Sequence, residues 1–179
     1  MSTLKPIYIS IFTGFFLLFC LECSARDFES RYATITYFDK DDLREFNNEL
    51  YMGRQLKAKL QKNMGDTIED DVAAKINLIV EKVMLVLDMY QPDIRFSIVI
   101  NTDERSVQEA FRSIYGVDID YIAFYSPSKN RVFYSADNSN LRVVAHEIGH
   151  VVFENYFSRS PPRRIHEVIA QFAERHVDD

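Results

Sequence analysis

Residues 143–155 read VVAHEIGHVVFEN, two histidines four apart with a glutamate directly after the first, set in an otherwise apolar run. Positions i and i+4 of a helix lie one turn apart on the same face. On a helix over residues 140–157, His146 and His150 therefore stack, while Leu141, Val144, Ala145, Ile148 and Val152 form a separate core stripe. Two imidazoles so placed reach one ion at zinc's ligand distance. Glu147, rotated by about 100° from His146, stands beside that ion and is positioned to take a proton from its water. Each position of this H-E-x-x-H pattern thus has a chemical reason. The alternative is a structural helix with two incidental histidines, but unpaired polar groups on a buried face cost free energy. Gly149 is unfavourable inside a helix by about 1 kcal/mol relative to Ala. It marks a close approach by a strand, a substrate or a packed helix.

The surrounding chain suits one domain. It has 179 residues, 47% hydrophobic and 27% charged, with five Gly and five Pro, which excludes disorder and repeat architectures. A formal charge of −6 offers no electrostatic footprint for nucleic acid or anionic lipid. The first 25 residues place one lysine before an uncharged apolar run, Pro6 to Leu21, and then Ser24 and Ala25. This is the layout of a signal peptide cleaved before Arg26, leaving a domain over 26–179 and a secreted or periplasmic product. Membrane association is expected only if the segment is retained or lipidated at Cys20 or Cys23. Those are the chain's only cysteines, so the exported domain must be stabilised by packing or by a metal rather than by disulfides.

Local patterns predict an α+β fold. Residues 31–38 and 93–100 alternate as strands, the second through Ile94, Phe96, Ile98 and Ile100. Leu43, Phe46 and Leu50 recur at helical spacing, and Ile68, Val72, Ile76, Ile79, Val80, Val83 and Leu87 form a long apolar helical stripe. Ser106 and Glu109 stand in capping-box spacing ahead of a short helix closed by Gly116. YIAFY (121–125) and RVFYS (131–135), joined by the turn-prone SPSKN, predict a hairpin. Ser160-Pro161 opens a last helix whose expected core stripe is Ile165, Ile169 and Phe172.

A catalytic zinc requires a third protein ligand and an open position. The metzincin continuation fails, because Phe153 and Tyr156 stand where it needs Gly and His. Glu167, early in the last helix and off its expected stripe, can point at the two histidines if the helices pack side by side. His166 is expected to face elsewhere, with Glu174 and His176 further along the helix.

HEIGH followed after sixteen residues by EVIAQF resembles the gluzincins, zinc peptidases whose second helix carries Glu-x-x-Ala-x-aromatic, here Glu167, Ala170 and Phe172. The resemblance is specific over residues 121–176. It implies a zincin-like fold, a small mixed or antiparallel sheet followed by an active-site helix and a glutamate helix. It also implies zinc (Zn2+) on His146, His150 and Glu167, Glu147 as general base, and a peptide or protein substrate aligned by RVFYS or YIAFY. The chain departs from the family in two ways. Gln171 stands where many relatives carry the acid that holds a zinc-bound imidazole, and its carbonyl is the expected substitute. The larger C-terminal subdomain that brings a Tyr or His to the oxyanion is not expected, which leaves Tyr125, Tyr134, Tyr156 and His176 as candidates. The rival expectation is a secreted or membrane-tethered binding module that keeps either a structural zinc, its fourth position closed by His166 or His176, or an inactive zincin scaffold.

Overall fold

The computed structural model describes residues 24–60 and 65–179. The expected export segment, with Cys20 and Cys23, lies almost wholly outside the described residues. No described helix is long and apolar enough to cross a membrane. In chain order the elements are β1 (Arg26–Glu29), β2 (Ala33–Tyr37), α1 (Lys40–Glu49), α2 (Arg54–Leu60) and α3 (Ile68–Leu87). Then follow β3 (Phe96–Asn101), α4 (Glu104–Tyr115), β4 (Ala123–Ser126), β5 (Arg131–Ser135), α5 (Leu141–Tyr156) and α6 (Arg163–His176). The class is α+β, as expected.

The five strands form one mixed sheet in the order β1-β2-β3-β5-β4. The three inner strands run parallel, and the outer strands β1 and β4 pair antiparallel to their neighbours. β4 and β5 make the expected hairpin, closed by a 3-10 turn over Pro127–Lys129 and by Asn130 at φ 45°. Asparagine tolerates this left-handed conformation better than most residues. β1 was not foreseen, since Arg-Asp-Phe-Glu has no apolar alternation and owes its conformation to pairing with β2.

The strands' alternation builds a core on each face. Ile98, Ile100, Val132 and Tyr134 join α1, α3 and α5 in the principal core. Val99, Phe124 and Phe133 turn the other way and pack under Val107 of α4. The α3 stripe is buried as read, with Ile68 and Leu87 only partly covered. Two helix starts differ from expectation. Asp103 rather than Ser106 caps α4, its carboxylate accepting the Ser106 N–H at 2.8 Å. α6 begins at Arg163 instead of Pro161. The segment after Phe38 is two helices, α1 and α2, interrupted over residues 50–53.

The largest correction concerns α6. Its inward stripe is His166, Ala170, Ala173 and Val177, whereas Ile165 and Phe172 stay exposed, as does Val168 at 63%. The reason lies on α5: a Cβ added at Gly149 would stand 3.0 Å from Ala170 Cα and 3.2 Å from Ala173 Cβ. The helices meet where neither has a bulky side chain, and this close packing turns α6's larger apolar residues outward. Of the alternatives for Gly149, helix packing is the one realised.

Gly149→Ala gains up to about 1 kcal/mol of helix propensity but overpacks a contact with backbone, a cost of about 1–3 kcal/mol. Net destabilisation in denaturant unfolding is expected, together with weaker metal binding as Glu167 shifts. A variant that is equally stable and binds metal equally well would refute this account of the interface.

Candidate metal centre

α5 is capped by Asn140, whose side chain accepts the N–H groups of Arg142 and Val143. Its stripe Leu141, Val144, Ala145, Ile148 and Val152 is buried as read, which leaves His146 and His150 on the flank facing α6. α6 supplies Glu167. Ligand atoms of His146, His150 and Glu167 all lie within 4.8 Å of one another. The Nε2 atom of each histidine is 3.8 Å from a Glu167 carboxylate oxygen. Ligands at about 2.0–2.2 Å from a tetrahedral zinc lie roughly 3.4 Å apart, so closure by a few tenths of an ångström meets the requirement.

The three side chains could hold a metal ion. Burial first, and then the neighbouring His146, push the His150 imidazole down to about 3, so it is a neutral ligand across the ordinary pH range. Glu174 Oε2 lies 3.0 Å from His146 Nδ1. In the tautomer whose Nδ1 donates to this carboxylate, the Nε2 lone pair would be left for an ion. Gln171, expected in this role, is exposed. Helical rotation gives the reason. About the inward stripe of α6, Glu167 and Glu174 stand roughly 70–90° off and Gln171 roughly 130° off. The orienting acid therefore sits two turns after the ligand instead of one, and that period was its available signal.

Glu147 is 8% exposed. Its carboxylate accepts the backbone N–H of Tyr125 on β4, while burial pushes its carboxyl up to about 8 and the nearby Glu167 adds to the shift. A positive charge at the ligand cluster acts in the opposite sense and favours the carboxylate. The general-base candidate is thus pinned between the ligand helix and the edge strand.

The cluster opens on a cavity of about 730 Å³ between α4, β4, α5 and the start of α6. His166 does not face elsewhere as expected. It lines this cavity, its ring centroid 5.9 Å from that of His150 and its Nε2 3.0 Å from Glu154 Oε2. His176 pairs with Asp179. Neither histidine belongs to the ligand group, so neither closes a fourth position. Of the four oxyanion candidates, only Tyr125 lines the cavity. Its hydroxyl donates to Asn130 Oδ1 at 3.0 Å, and burial pushes it up to about 12. Tyr134 is fully buried and donates to the Val144 carbonyl at 3.0 Å. Tyr156 leans on Phe157 at the end of α5. Tyr121 and Arg163, which the sequence did not single out, also line the cavity. Comparison with protein-family models, curated proteins and solved structures gives no match.

Two expected outcomes follow from the site. Glu174→Ala weakens zinc affinity by about 10–100-fold in competition with a chelating dye, while Gln171→Ala leaves it unchanged; equal effects would refute the assignment. In chelator-treated protein, Glu147 binds its proton more tightly folded (about 8) than unfolded, so its contribution to stability falls as pH rises toward 8. His150, depressed to about 3, contributes stability that is lost as pH falls below its unfolded value. Between about 6.5 and 8 the Glu147 slope persists after that of His150 has ended, and thermal melts over that window should lose that component in Glu147→Gln.

Proposed function

We propose that the chain is an exported, zinc-dependent peptidase of gluzincin type on a minimal zincin-like fold. The observation that carries this reading is the position of Glu147. It is buried beside the His146–His150–Glu167 cluster, bonded to an edge-strand N–H, and open to the cavity of about 730 Å³.

Bound by those three side chains, zinc would polarise the scissile carbonyl and lower the pKa of water at the open position. The imidazole and carboxylate donors suit that ion. His146 is held in register by Glu174, and His150 is neutral and needs no deprotonation. Glu147 takes the proton from the attacking water and passes it to the leaving amine. Of β4 and β5, β4 is the one with an unpaired edge to offer a substrate, because β5 is paired on both sides. Of the two runs the resemblance offered, YIAFY takes that role and RVFYS supports it.

A structural zinc in a binding module is less well supported, since both spare histidines are engaged elsewhere. Export follows from the leader-like residues 1–25, and intact mass of the secreted product tests it. For the chemistry, Glu147→Gln should retain one zinc per chain, measured by atomic emission, and lose about 10²–10⁴-fold in peptide hydrolysis. Full activity in that variant would exclude Glu147 as the base, and loss of zinc would move it into the ligand set.

A further inference from the structure

The sequence treats the two edges of the sheet differently. The β1 edge carries Arg26, Asp27 and Glu29 within four residues, and such charges blunt an edge against further pairing. The β4 edge, Ala-Phe-Tyr-Ser, is uncharged and lies along the cavity that reaches the ligand cluster. Its hydrogen-bond ladder shows which groups face outward. The Ser135 N–H donates to the Ile122 carbonyl at 3.1 Å. In antiparallel alternation Phe124 and Ser126 then turn their backbone groups to β5, and Ala123 and Tyr125 turn theirs away from it. Glu147 takes the Tyr125 N–H, which leaves the Ala123 N–H and the Ala123 and Tyr125 carbonyls facing out of the sheet.

An aromatic wall stands on the α4 side of this edge. Phe111 packs edge-on against Phe124 at 4.9 Å and Tyr121 at 6.0 Å, and tilted against Tyr115 at 4.6 Å. Tyr115 and Tyr121 are nonetheless 40% and 44% exposed, and the neighbouring Val117 is 54% exposed. The Tyr115 hydroxyl is tied to Ser126 Oγ at 2.7 Å, which fixes that ring in place. All four wall residues line the same cavity as Glu147. Leaving such rings in water forgoes the free energy of burying their apolar surface, and a ligand that covers them recovers it.

We propose that this wall is the specificity subsite for the substrate, which pairs with β4 as a sixth strand and lays one large apolar side chain across Phe111, Tyr115, Val117 and Tyr121. The proposal rests on the peptidase reading above and adds its substrate class: extended segments with an aromatic or long aliphatic residue at one fixed position. The pleat selects that position. Ala123 and Tyr125 face the α5 side, and Phe124 lies in the α4-side core. A paired strand repeats the alternation, so the residue opposite Phe124 meets the wall while its two neighbours point toward α5 and the ligand cluster. The wall has no charged group, and edge pairing with side-chain pockets on alternate residues is a known mode of peptide capture.

The test uses zinc-loaded protein and fluorescein-labelled decapeptide pools holding Phe, Ala, Asp or Lys at one position. Wild type should cleave the Phe pool about tenfold or more faster than the Asp pool at a single position relative to the scissile bond. Tyr121→Ala should flatten that ratio, and Val117→Asp should shift the preference at the same position toward Lys. Both side chains are exposed, and unchanged thermal melts verify the fold. In parallel, anisotropy measures binding of the same pools to zinc-loaded Glu147→Gln, where the same order Phe, Ala, Asp is expected. Cleavage or binding without selection among the pools, or selection that both variants leave intact, overturns the subsite. Selective binding without Glu147-dependent cleavage retains the subsite and removes the peptidase reading. Absence of both removes the two together.

Discussion

The close approach of α5 and α6 at Gly149 is the constraint on which the site depends. Two imidazoles come from one helix and the carboxylate from the next, and all three side chains are short relative to the usual separation of packed helices. Gly149 lies between His146 and His150 in sequence, so its contact with Ala170 and Ala173 brings the backbones together at the level of the ligands. The same contact selects which face of α6 turns inward. Glu167 and Glu174 consequently flank the interface on one side, and the carboxylates that would bind and orient share a single edge of one helix.

This contact also marks where legibility in the sequence ends. His146, Glu147 and His150 were readable because they share one helix, and helical period alone relates them. Glu167 came from side-by-side packing and resemblance together. Glu174 and the orientation of α6 were not readable by ranking hydrophobicity, since Ile165, Val168 and Phe172 outrank the alanines that are buried. A tight interface rewards small residues over apolar ones, and only the position of Gly149 hinted at it. Elsewhere local rules competed: Asp103 displaced Ser106 as the α4 cap, and β1 owes its strand conformation to pairing that no local pattern encodes.

Electrostatics explains why such a site would carry a cation. His150 is kept neutral and Glu147 is destabilised as an anion, both chiefly by burial. Glu167 and Glu174 place further carboxylates around the two imidazoles. A dication at the cluster would offset the repulsion between Glu147 and Glu167, and its binding would be coupled to folding through the same side chains. The buried polar groups here are therefore weak contributors to the metal-free fold.

The route of the chain ties the edge strand to this chemistry. β4, its turn, β5 and α5 are consecutive, so little intervening chain separates the edge strand from Glu147. Tyr134 on β5 is bonded to the Val144 carbonyl on α5, and the Asn101 side chain is bonded to the Tyr134 carbonyl. Asn130 in the turn accepts from both the Tyr125 hydroxyl and the Asn155 side chain at the far end of α5. Hairpin and helix are thus joined near both ends of the helix as well as at Glu147. A shift of β4 by one residue would break the Tyr125 N–H bond to Glu147 and exchange the faces of Ala123 and Phe124. Register of the edge and position of Glu147 are in that sense a single structural variable, and only a short polar loop separates the hairpin from the histidine helix.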